Sequence, residues 1–122
     1  MSELLSNNGY YLSPDQLERI EQRLHLLCTD TKAILIVLAE ISGQLISEYG
    51  EIEEINSSIL SALAASNLSA NKEMARLLGE SGWFKFLLHE GKYRHFCIAQ
   101  VDDNLALIGV FDKQIPIGLI RL

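Results

Sequence analysis

Cysteine and proline are both scarce, at two residues each in 122. Cys28 and Cys97 stand far apart with no Cys-x-x-Cys spacing, which excludes a disulfide framework or a zinc ribbon. No apolar run reaches the roughly 18 residues that a membrane-spanning helix requires, and no basic stretch followed by an apolar one opens the chain. A soluble cytoplasmic protein that uses no membrane is the expectation. Basic residues are also few: ten Lys and Arg against sixteen Asp and Glu, a net charge of −6. They are scattered, whereas phosphate backbones are held by clustered cations, so no nucleic-acid partner is expected.

Chemistry-bearing motifs are absent as well. The chain has no phosphate-cradling GxxxxGK[ST], no GxGxxG after a strand, no HExxH and no GxSxG. Histidine occurs only at His25, His89 and His95. His95 and Cys97 share one face of a strand, but two ligands do not make a metal site. Asp102 and Asp103 are adjacent carboxylates in a tight turn, where aspartate is favoured for backbone reasons. No catalytic residue, metal or cofactor is therefore expected, and the protein is not read as an enzyme.

What the chain does have is a long stretch, residues 53–78, that no single apolar stripe explains. Ile55, Ile59, Ala62 and Ala70 fall near one helical face, while Leu60, Leu63, Ala64, Leu68, Met74 and Leu78 spread onto neighbouring ones. A helix that is apolar most of the way round is buried from more than one direction. Small residues through this stretch (Ser57, Ser61, Ala64, Ala65, Ser69) let another backbone come close. The reading is a helix with a sheet on one flank and a second protein chain on the other. The acids are concentrated in residues 1–54, which carry ten against three bases. Those at 51 to 54 stand where this helix is expected to begin, which suits the helix dipole better than a dedicated basic partner.

The other elements are signposted by local chemistry. Ser13, Pro14 and Gln16 form a capping box with proline at the first helical position, and Leu17, Ile20, Leu24 and Leu27 then repeat at helical spacing. The expected helix ends near residues 29–31. Residues 33–39, AILIVLA, are short, β-branched and apolar on both faces, as in a central buried strand. Ser42-Gly43 turns the chain into a second strand over residues 44–49. After Gly79 and Gly82 the period becomes two, giving strands over 83–89, 92–101 and 105–111 joined by turns short enough to permit only antiparallel neighbours. The order is α-β-β-α-β-β-β, one mostly antiparallel sheet with helices on its faces.

With that order, the chain resembles the roadblock/dynein light chain domains, and among them the bacterial gliding-motility members that regulate small Ras-like GTPases. The likeness spans residues 14–122. It rests on AILIVLAEISGQLISEYG as first hairpin, ALAASNLSANKEMARLLGE in the long helix, WFKFLLHEGKYRHFCIAQV as aromatic hairpin, and the closing PIGLIRL. The resemblance implies an α+β, roadblock-like (profilin-like) single domain over residues 13–122, with a five-stranded antiparallel sheet, after a flexible leader at residues 1–12. Members of the family carry a third helix after the last strand. Here that C-terminal helix is read as truncated or absent.

The resemblance also implies a homodimer, with sheets joined edge to edge and long helices side by side. By position, the edge strand brings Trp83, Phe84, Lys85 and Phe86 to the dimer interface, and the helix seam draws on Ser57, Ser61, Ala64, Ala65 and Leu68. An uncovered apolar edge such as WFKFLL would template aggregation, and pairing it removes the hazard. Asn56, Leu60, Leu63, Asn67, Asn71 and Met74 are the candidates for contact with a small Ras-like GTPase. In this reading the dimer is a platform that stimulates GTP hydrolysis by repositioning the GTPase's own catalytic groups. No arginine stands in a context that marks an arginine finger, although Arg76 lies on the long helix. The alternative is a non-catalytic dimeric adaptor that tethers a motor or signalling protein.

Overall fold

Two short strands, β1 (Leu4–Leu5) and β2 (Tyr11–Leu12), pair antiparallel ahead of the first helix. Helix α1, Pro14–Thr31, then begins where its capping box dictates. Ser13 is extended, its Oγ accepts the Gln16 N–H at 3.2 Å, and Gln16 Oε1 accepts the Ser13 N–H at 2.8 Å. The helix stops at Lys32, which adopts a left-handed conformation and donates its N–H to the Cys28 carbonyl. These observations come from a computed structural model that describes residues 4–5, 11–51, 54–80 and 86–116.

After α1 come β3 (Leu35–Glu40) and β4 (Leu45–Gly50), then helix α2 (Ser57–Leu77). The meander follows as β5 (Phe86–Glu90), β6 (Arg94–Gln100) and β7 (Leu105–Asp112). These five strands form one sheet in the order β4-β3-β7-β6-β5, antiparallel throughout. The last strand therefore lies in the middle, beside the first strand of the β3–β4 hairpin.

All six residues of β3 are buried, and its alternation divides two cores. Leu35, Val37 and Ala39 join Ala64 and Leu68 of α2 with Ile98, Ala106, Ile108 and Val110. Ile36 and Leu38 join Leu24 and Cys28 of α1, together with Ile46. The two helices thus cover opposite faces of the sheet. Val37, Ile98 and Ile108 are fully buried, and each such side chain is worth about 1.5–3 kcal/mol of transfer free energy.

The expected leader is not wholly loose. Besides the pairing of β1 with β2, Leu12 is buried in the α1-side core. Among the described side chains of this segment, Leu12 ties its end to the domain just before the capping box. On the same face α1 sits over β4 and β3. Beyond the end of α1 an apolar groove of about 250 Å³ remains, lined by Leu27, Phe86, Cys97, Leu107 and Phe111 among others. The expectation for a third helix falls on residues after Pro116, outside the described ones.

Candidate interaction surface

α2 begins at Ser57, with Asn56 as its cap: Asn56 Oδ1 accepts the Ile59 N–H at 3.0 Å. The sequence placed the start among the acids at 51 to 54. Those acids fall before the helix, whose first turn holds no acidic residue. An asparagine side chain that reaches a backbone donor in the first turn is a stronger start signal than nearby carboxylates. The dipole therefore does not account for the acids: Glu51 is exposed in the connection, and Glu54 meets Arg94 at 3.5 Å. At the other end Gly79, with φ +80, lets the Glu80 N–H reach back to the Ala75 carbonyl.

Ser57, Ser61, Ala64 and Leu68 face the sheet of their own chain, as does Ala75. Ser61 is 0% exposed and donates its hydroxyl to the Ser57 carbonyl; the Ser57 hydroxyl donates to Glu48 on β4. The helix seam expected at these four positions is therefore taken up inside the monomer. Their small side chains suit the close approach of the sheet. Ala65 is half-buried, beside the β3–β4 turn. There Gly43, with φ +107, lies so close that a Cβ would stand 3.2 Å from the Ala62 Cα.

A second apolar stripe runs along the opposite side of α2. Ile59 is 57% exposed, Leu63 63% and Leu77 75%, and Ala62, Ser66 and Ala70 lie exposed with them. The spacing Ile59, Leu63, Ala70, Leu77 is helical, so one line along the helix carries it. The candidates Asn56, Leu60, Leu63, Asn67, Asn71 and Met74 form the adjoining flank. Asn56, Leu63 and Met74 are exposed, while Leu60, Asn67 and Asn71 are half-buried, the Asn71 amide donating to Asn67 Oδ1 at 2.8 Å. Arg76 ends the same helix in an exposed ion pair with Glu73 at 2.8 Å, and each holds the other in its charged form.

β5 is an edge of the sheet, as the resemblance implied. Its described residues Phe86, Leu87 and Leu88 are half-buried and apolar. Trp83, Phe84 and Lys85 of the expected interface lie outside the described residues.

Among the described residues, no group of three or more His, Cys, Asp or Glu is gathered around a potential metal position, and no helix is long and apolar enough to cross a membrane. His95 is buried with its Nε2 donating to the Lys113 carbonyl at 3.2 Å. Both thiols are pushed up: Cys97 by burial, against a smaller opposing effect of the Gly109 backbone, and Cys28 by burial and then by the charge of Glu51. A thiol whose pKa is raised on folding holds its proton more tightly in the native state. That contribution to stability is present below the ordinary value of 9.0 and is lost as pH rises through the folded value. Denaturant midpoints are therefore expected to hold steady from neutral pH to just below 9.0 and to decline above it. The Cys97→Ala variant is expected to show a shallower decline; an identical one would remove Cys97 as its cause.

The Roadblock/LC7 domain matches residues 20–111 of the chain. Among solved structures, Myxococcus xanthus MglB is 31% identical and superposes with a TM-score of 0.80, over 84% of this chain and 83% of its own. An MglB with a tetrameric arrangement is 25% identical, with a TM-score of 0.84 over 90% of this chain and 82% of that one. The gliding protein MglB of Thermus thermophilus, 24% identical with a TM-score of 0.81 over 90% and 83%, adds to the likeness of fold. An uncharacterized protein of Aquifex aeolicus (strain VF5) is 26% identical over 116 residues, 93% of this chain and 71% of its own.

Proposed function

Because the chain belongs to the Roadblock/LC7 domain family, we propose that it works as a dimeric regulatory platform for a small Ras-like GTPase. The observation that carries this reading is the outward stripe of α2. Soluble monomers rarely leave contiguous apolar surface of this kind uncovered, and such patches mark interaction sites. In the proposed dimer the helices of two copies lie side by side along Ile59, Leu63, Ala70 and Leu77. Ala62 and Ser66 are short enough to let the two backbones approach. This seam replaces the one expected at Ser57, Ser61, Ala64 and Leu68. The β5 edges pair at the same time, joining two five-stranded sheets.

The flank from Asn56 to Met74 is then left beside the seam for the GTPase. Its asparagines supply donors and acceptors, while Leu60 and Met74 supply apolar contact. Arg76 meets Glu73 on its own helix in an exposed pair, and in this scheme the regulator acts by positioning the GTPase's catalytic groups. The chain itself carries out no reaction in this scheme.

The test is capture on the purified protein from extract of its own cells, with GTP or GDP added, read by mass spectrometry. A Ras-like GTPase retained preferentially with GTP, and hydrolysing faster in the presence of the regulator, is the expected result. Recovery of a motor or scaffold protein indifferent to nucleotide would replace this reading with that of a non-catalytic dimeric adaptor.

A further inference from the structure

The sheet has two edges, and they differ in chemistry. β5 offers Phe86, Leu87 and Leu88, whereas β4, which among the described residues pairs only with β3, ends in the exposed residues Glu48, Tyr49 and Gly50. One side of a strand so placed retains backbone donors and acceptors available to another extended chain. Beside this edge, between α1 and β4, lies a hollow of about 400 Å³ lined by Glu18, Glu21, Gln22, His25, Glu48 and Tyr49. Two carboxylates, those of Glu18 and Glu21, stand on its α1 side, and no described Lys or Arg lines it. The nearest cation on α1, Arg19, lines the next hollow along the helix with Asp15, Glu18 and Gln22.

We propose that the β4 edge accepts a short extended segment of a protein partner, rich in arginine at alternate positions, as a sixth strand. Charge selects the occupant. A second copy of this chain at the same edge would bring its own Glu18, Glu21 and Glu48 to a surface that is already acidic, and like charges brought close across a strand pair are destabilising. A cationic strand meets the reverse situation. Side chains at i and i+2 point to one face of a strand, so two basic residues of the incoming segment reach the α1 side together, where Glu18 and Glu21 stand. Glu48 points to the other face, where it accepts the Ser57 hydroxyl at the start of α2.

Arginine is preferred to lysine for a geometric reason. The His25 and Tyr49 rings stack with centroids 4.5 Å apart and planes 23° from parallel, giving the hollow a flat aromatic wall. A planar guanidinium stacks on such a wall while pairing with a carboxylate at its rim; an ammonium does only the second. This surface is separate from the outward face of α2, so a dimer that uses α2 and β5 leaves it free.

The test uses the intact protein with three acetylated, amidated hexapeptides: alternating Arg-Val, alternating Lys-Val and alternating Glu-Val. Binding is read by fluorescence polarisation and by hydrogen exchange of backbone amides. The expected result is that Arg-Val binds best, Lys-Val less well and Glu-Val not at all. Exchange at residues 48–51 is slowed, and affinity falls as salt is raised. Glu18 and Glu21 are both exposed, so the Glu18→Gln/Glu21→Gln variant keeps its melting temperature while its affinity for Arg-Val drops about tenfold. Equal binding of Glu-Val overturns the proposal, as does protection at β5 in place of β4, unchanged affinity in the variant, or no binding at millimolar peptide. None of these outcomes depends on whether the partner of α2 is a GTPase.

Discussion

Ala64→Glu is expected to abolish the folded state. Ala64 is 4% exposed and packs among Leu35, Val37, Leu68, Ile98 and Ile108, with no cation in that cluster. A glutamate there has two ways to fail. Held in place and ionised, it is an unpaired buried charge, which costs on the order of 3–5 kcal/mol. Its extra atoms also overfill a packed interior, at about 1–3 kcal/mol more. Domains of this size have about 5–15 kcal/mol in total, so the sum approaches or exceeds what is available. Far-ultraviolet circular dichroism should show no cooperative melt for the variant, against a single sharp one for the wild type. A variant that melts within a few degrees of the wild type would mean that α2 does not present this face to the sheet.

Leu63→Glu, one residue earlier, is expected to do the opposite. Leu63 is 63% exposed in the single chain, and exposed substitutions usually change stability by no more than about 0.5 kcal/mol. Its melt at low concentration should match the wild type. Association should be lost, because in a two-fold seam every substitution appears twice. Two new carboxylates would then face each other across a surface that had been apolar. A weakening of at least about a hundredfold, or roughly 2.7 kcal/mol, is the expected size. Light scattering over a range of concentrations measures it directly. A wild type that is monomeric at micromolar concentration would remove the platform reading altogether, and a Leu63→Glu dimer of undiminished affinity would move the seam off this stripe. The two variants sit about 100° apart on one helix, so together they fix its orientation.

Some of this was legible in the sequence because the signal is local. Ser13, Pro14 and Gln16 specify the start of α1 with their own atoms. Asp102 was readable as a turn residue, and its Oδ1 accepts the N–H groups of Asn104 and Leu105 at 2.7 and 2.8 Å. The tight turns made β3–β4, β5–β6 and β6–β7 neighbours. They say nothing about β3 and β7, which meet from distant parts of the chain. The rotation of α2 was not legible either. Leu, Ala and Ser occur on every side of it, so periodicity predicts two covered faces without saying which one meets the sheet. The Ser57 hydroxyl on Glu48 and the approach of Gly43 settle that question, and both are tertiary. Leu12 is one of a few apolar residues in an otherwise polar leader, and they carry no period that would single it out.

The double burial of β3 has a consequence for how its alignment is chosen. In a strand with one wet face, sliding by a single residue turns the apolar side chains into water, and the cost of that error sets the pairing. Leu35 to Ala39 carry no such instruction, because either face suits either core. The alignment must therefore be held at the strand's ends. At one end the chain turns through Gly43, where a side chain would crowd the backbone of Ala62; at the other, a Cβ on Gly50 would collide with the Ile34 carbonyl. These two glycines act as stops. A side chain at either position forces the hairpin to give way there, and β3 has no alternation of its own with which to find its place again.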